Sequence, residues 1–192
     1  MATNFVLLSE VPVYLQGADN ACGYHCAAMM RAAINGDAWL ARFWAQRTGR
    51  GLGLPKFPTN EHETCVRPGT LASRMKDILR GGPLRITDPF DAADARKKIV
   101  AALRDFRPTI LLLPKSSAHP DGHYVVVKGY RRTGEDERFI VNDPSVGESE
   151  LGATEGQFAQ LMVPTHKPTS GDPRPQAFVA TTRTFLRRRV KR

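Results

Sequence analysis

Cysteine is scarce in this chain of 192 residues, which has only Cys22, Cys26 and Cys65. An odd, low count excludes a disulfide framework and leaves room for a reactive thiol. Long apolar runs are missing too. The longest, Thr109-Ile110-Leu111-Leu112-Leu113, is strand-sized and falls far short of the ~18 residues of a membrane-spanning helix, so no membrane span is expected. There is no internal repeat and no long low-complexity segment, which excludes a repeat architecture. Met1-Ala2-Thr3-Asn4 puts no positive charge ahead of Phe5-Val6-Leu7-Leu8 and does not read as a secretory signal. The expected location is the cytoplasm, or outside it by a signal-independent route.

Acid is absent from one stretch. Arg183 to Arg192 holds five Arg and one Lys with no Asp or Glu. Of the 28 basic residues, the 22 outside this tail face 19 acidic ones, so most of the +9 net charge belongs to the tail and the body is only mildly basic. The 41% hydrophobic and 24% charged content is that of a folded globular chain. One domain over residues 1–182 with a basic tail at 183–192 is therefore expected. The Arg187–Arg192 segment has the charge to meet an anionic surface or nucleic acid, with affinity that falls as salt rises.

Along the chain, Phe5 to Leu15 is apolar and extended. Ala21 to Ile34 is Ala-rich and reads as a buried helix ending near Asn35-Gly36. Asp37 is a candidate cap for a helix over 38–46, Gly49 to Pro68 reads as a long loop, and Thr70 opens a helix stopped by Gly81-Gly82-Pro83. Asp91 caps another, with Ile99, Val100 and Leu103 on its inner face. Thr109–Leu113, His123–Tyr130 and Arg138–Asn142 have strand composition, and Thr133-Gly134-Glu135-Asp136 is a hairpin turn. Glu155 to Met162 reads as a short helix, Pro164 to Pro175 as a loop, and Ala177 to Leu186 as a final strand. Helices first and antiparallel strands second imply an α+β fold with a helical lobe packed on a sheet.

The segment Gln16-Gly17-Ala18-Asp19-Asn20-Ala21-Cys22-Gly23 carries the most chemistry. Cys22 lies where loop becomes helix, and a thiol there meets unpaired backbone N–H groups and the positive end of the helix dipole. Gly23 leaves room for a substrate backbone beside the sulfur. The amide of Gln16 and the backbone N–H of Cys22 are candidate donors to an oxyanion formed on a carbonyl attacked by sulfur. Far downstream, His123 opens one strand and Asp143 ends the next. In an antiparallel hairpin those two ends are adjacent, so the pair supplies an imidazole to take the thiol proton and a carboxylate to orient it.

These three segments, with Gly122-His123-Tyr124-Val125-Val126-Val127 and Val141-Asn142-Asp143-Pro144 in order after Cys22, resemble the papain-like cysteine peptidases. Within them the chain is most similar to the bacterial bacteriocin-processing (double-glycine leader) peptidases and their stand-alone relatives, over roughly residues 9–147. The resemblance implies an N-terminal helical lobe whose nucleophile helix packs on a C-terminal antiparallel sheet. It makes Cys22 the nucleophile, His123 the general base, Asp143 its orienting partner and Gln16 the oxyanion donor. It further implies a protein or peptide substrate cleaved through a thioester, with no cofactor and no metal. The chain departs from the family pattern at Ala21, where the family often has Asp, and the Gly49–Pro68 loop and basic tail have no counterpart.

Other readings use the same residues. An amine acceptor in place of water gives a transferase or amidase. A non-catalytic adaptor would keep the fold and bind through the tail, but has no need of the Cys–His–Asp set. Cys22, His25, Cys26 and Cys65 make a poorly spaced zinc set. Cys26, one turn beyond Cys22, is expected to pack inside. His119 is a weaker candidate base, His62 and Cys65 are candidates to line a cleft, and Gly81-Gly82 reads as a helix stop rather than a cleavage site.

Overall fold

In a computed structural model of the chain, the described residues are 4–16, 22–35, 84–87, 92–114, 122–162 and 179–182. The elements in chain order are β1 (Asn4–Leu7), α1 (Cys22–Asn35), β2 (Leu84–Thr87), α2 (Ala92–Arg104), β3 (Thr109–Leu113), β4 (His123–Thr133), β5 (Asp136–Asp143), β6 (Gly147–Gly152), α3 (Glu155–Leu161) and β7 (Val179–Thr182). The expected helices over 38–46 and from Thr70, the loops at Gly49–Pro68 and Pro164–Pro175, and the basic tail lie outside the described residues, as do His62, Cys65, Gly81-Gly82 and His119.

The Val-rich stretch of the second half becomes the centre of the sheet. β4 is buried from His123 to Tyr130, on both faces of its pleat, as a strand enclosed by other elements must be. The sheet order is β2-β7-β3-β4-β5-β6, with β1 also on β4, and all pairings are antiparallel. β3 covers the first half of β4, from Leu113 opposite His123 to Thr109 opposite Val127. β1 continues along the same edge, from Leu7 opposite Gly129 to Asn4 opposite Arg132. β5 occupies the other edge. The sheet thus draws β1 and β2 from the first half of the chain into a framework built mainly from the second. The α+β class expected from the element order and the resemblance holds, with α1 packed on an antiparallel sheet.

Lys128 breaks the apolar run of β4, and there the register with β5 shifts between Val127 and Gly129. The extra residue is a bulge, which is how a strand re-aims side chains without ending. Lys128 is 5% exposed and pairs with Glu148 on β6. Gly129 is required by close approach: a Cβ there would sit 2.9 Å from the Val6 carbonyl oxygen and 3.1 Å from Ile140. At the far end, Gly134 (φ 63°) is the first of two turn residues, the place where a tight hairpin needs positive φ.

α1 is buried at every position from Cys22 to Met30 and packs on β4 and β3. A helix apolar all round belongs in the middle of a domain, and Ala27, Ala28 and Ala32 let it approach the sheet closely. α2 is amphipathic and buries Ala95, Ile99, Ala102 and Leu103. Val100, expected on that face, is only half-buried at its edge. Arg96 ties α2 to the sheet through Glu137 and the Ala153 carbonyl. α3 starts at Thr154, whose hydroxyl accepts from the Gln157 N–H, and its Phe158 meets Phe139 edge-on at 5.6 Å between ring centres.

Candidate active site

Cys22 is the first residue of α1, His123 the first of β4 and Asp143 the last of β5. Antiparallel pairing sets Val126 opposite Asn142, so the start of β4 and the end of β5 meet. His123 Nε2 lies 2.7 Å from Asp143 Oδ1, with the two side chains 2% and 15% exposed. Cys22 sits against the same imidazole and hydrogen-bonds to it. Since Nε2 is taken by Asp143, Nδ1 is the nitrogen left for the sulfur.

The electrostatics follow from that geometry. Burial works against a charged imidazole, yet Asp143 and Cys22 outweigh it, through hydrogen bonds and charge, and hold His123 up to about 9. An imidazole that keeps its proton to that pH is a strong base toward a neighbouring thiol and an acid for a leaving amine. Asp143 is itself held: the Ser145 N–H donates to Oδ1 at 2.7 Å. The carboxylate oxygen facing His123 therefore has two donors in fixed directions.

Gln16, the fourth expected residue, reaches the same place by a different route. Its backbone N–H donates to the Pro144 carbonyl at 2.8 Å, and its side-chain Nε2 donates to Ser145 Oγ at 3.4 Å. Ser145 Oγ is also 3.5 Å from His123 Nε2. The segment before α1 is thus laced to the residues around Asp143. Asn142 adds to the lacing from below: fully buried, its Nδ2 donates to the Val11 carbonyl at 3.0 Å and the Pro12 carbonyl at 2.8 Å.

Cys26 is packed inside with no exposed surface. Burial, with Cys22 and Asp143 close by, pushes its thiol well above the ordinary range, which suits a core position rather than a nucleophile. Cys22 and Cys26 are both free thiols. Among the described residues, no group of three or more His, Cys, Asp and Glu side chains is placed to hold a metal ion, and no helix is long and apolar enough to cross a membrane.

Two residues of this cluster, Asn142 and Ser145, were not singled out from the sequence. Their signal was adjacency. They flank Asp143-Pro144, and a buried amide or a hydroxyl beside a candidate site residue is a natural support for it.

Comparison with known proteins puts the chain among the cysteine peptidases. Residues 8–161 match the Peptidase_C39 like family, and the chain belongs to it. No curated protein matches it by sequence. Among solved structures it is similar to the Pseudomonas avirulence protein AvrPphB, at 15% identity and a TM-score of 0.31, with 80% of this chain and 86% of that chain covered.

Proposed function

We propose that the chain hydrolyses a peptide or isopeptide bond through a Cys22–His123–Asp143 triad, with Gln16 as oxyanion donor. The observation that carries this is the buried His123–Asp143 pair, 2.7 Å apart, set against the thiol at the start of α1. Asp143 fixes the imidazole by its Nε2. The proton given up by the thiol is held on Nδ1 of His123, and the thiolate sulfur attacks the substrate carbonyl carbon. The carbonyl π electrons move to oxygen, and that oxyanion is met by the Gln16 amide and the Cys22 backbone N–H. When the tetrahedral intermediate collapses, the C–N bond breaks and His123 hands its proton to the departing amine. Water, giving a proton to His123, then attacks the thioester. The C–S bond breaks, the acid leaves and the thiolate–imidazolium pair is restored.

The test is mass spectrometry of the purified chain with peptide mixtures. Cleavage together with a transient acyl adduct on Cys22, both absent in Cys22→Ala, supports the reading. Transfer of the acyl group to an added amine in preference to water would make the protein a transferase with the same acyl-enzyme. Cleavage retained in a folded Cys22→Ala chain would sink the assignment.

A further inference from the structure

We propose that Ser145 is the positioning residue of the oxyanion donor: its hydroxyl anchors the Gln16 amide and so couples the loop before α1 to the His123–Asp143 pair. This rests on the reading of Gln16 given above. A glutamine side chain has three rotatable bonds, and immobilising it costs rotamer entropy. A donor that stabilises a developing charge must have that freedom removed before the reaction. Gln16 is fixed at both ends, by its backbone N–H on Pro144 and by its amide on Ser145 Oγ. Ser145 in turn is fixed by its own N–H on Asp143 Oδ1. The hydroxyl is thereby placed by the same carboxylate that orients the base.

The amide has one anchored end and one unpaired end. Gln16 Oε1 is buried and has no hydrogen-bond partner among the described residues. A hydroxyl accepts from an amide NH₂ or donates to an amide oxygen equally well. A half-turn of the terminal torsion therefore keeps the Ser145 contact whichever end of the amide faces the hydroxyl. The 3.4 Å contact is at the long end of hydrogen-bond range, as contacts that tighten in the transition state often are. The hydroxyl's other neighbour, His123 Nε2 at 3.5 Å, already has Asp143 at 2.7 Å. Gln16 is the partner that depends on Ser145.

The experiment is a double-mutant cycle on the full chain, using a fluorogenic peptide amide chosen from library peptides that the wild type cleaves. Ser145→Ala should lower kcat about tenfold with KM within about twofold, and Ser145→Thr should restore most of it. In a Gln16→Ala background, Ser145→Ala should cost less than about twofold, because the anchored group is gone. Alkylation of Cys22 by iodoacetamide should keep its rate and pH dependence in Ser145→Ala, because the Asp143 contacts of His123 Nε2 and of the Ser145 backbone N–H are both kept. An unchanged kcat in Ser145→Ala, an equal cost with and without Gln16, or a shifted alkylation profile would each overturn the proposal. The underlying readings fail separately. A Gln16→Ala chain of normal kcat removes Gln16 as donor whatever Ser145 does, and a wild type that cleaves no library peptide removes the peptidase.

Discussion

Around the Gly134-Glu135 turn of the β4–β5 hairpin, Arg131 reaches Glu150 at 2.9 Å and Asp136 at 3.8 Å, and Arg138 reaches Asp136 at 2.8 Å, with all four side chains between 36% and 43% exposed. At the other end of the same hairpin His123 reaches Asp143 at 2.7 Å with side chains of 2% and 15% exposure. The distances are alike and the consequences are not. Water and salt screen the turn-end pairs, and exposed pairs of this kind are worth about 0–1 kcal/mol each. At the buried end, few waters compete, and the carboxylate helps carry the imidazole from 6.5 to about 9. Enclosure, rather than the presence of opposite charges, turns a pair into chemistry.

Removing the sulfur should have the largest effect. Cys22→Ala should lower turnover by at least about 10⁴-fold with an unchanged circular dichroism spectrum, whereas Cys26→Ala, one turn away, should keep most activity. Equal loss from both, in folded chains, would mean that the two thiols share one site. Next is the carboxylate. Asp143→Ala should cost roughly 10²–10⁴ in kcat and move the basic limb of the pH–rate profile downward from about 9, since a group that raises His123 is lost. A limb that stays in place would show that Asp143 does not set the imidazole's proton affinity. Gln16→Ala should follow, with a loss of about 10²–10³ in kcat and little change in KM. A rise in KM alone would make Gln16 a binding residue.

Stability should carry the same asymmetry. His123 holds its proton more tightly folded, at about 9, than unfolded, at 6.5. The contribution of this group is therefore complete below pH 6.5 and is lost as pH rises through 9. Melting temperature should fall across that window, and the fall should be smaller in Asp143→Ala. A wild-type melting temperature flat across the window would remove the buried ion pair from the stability account. Smallest of all, Arg138→Ala at the turn end should change stability by less than about 0.5 kcal/mol and leave activity alone. An effect on turnover would show that the two ends communicate.

Much of this was legible in the sequence where local pattern and function coincide. β3 falls on the apolar run Thr109–Leu113, and Cys22, His123 and Asp143 stand at element ends that a hairpin and a buried helix bring together. β6 was not legible: Gly147-Glu148-Ser149-Glu150-Leu151-Gly152 has two charges and two glycines, the composition of a protected edge strand. β2 is four residues directly after a Gly-Gly-Pro stop. The docking of β1 on β4 depends on pairing across more than half the chain, for which no local residue is a signal. Lys128-Gly129 inside an apolar strand was the visible mark of the bulge.

The link from Asn142 to the Val11 carbonyl spans 131 residues of chain. Synthesis runs from the N-terminus, so the thiol leaves the ribosome long before the imidazole and carboxylate it comes to sit against. Pairings this distant in sequence also form late and slowly, because a large loop must close first. A growing chain therefore carries an idle sulfur for most of its synthesis. The closing of the β4–β5 hairpin against the N-terminal segment is what brings thiol, imidazole and carboxylate to one place, and on the proposed mechanism no cut can precede it.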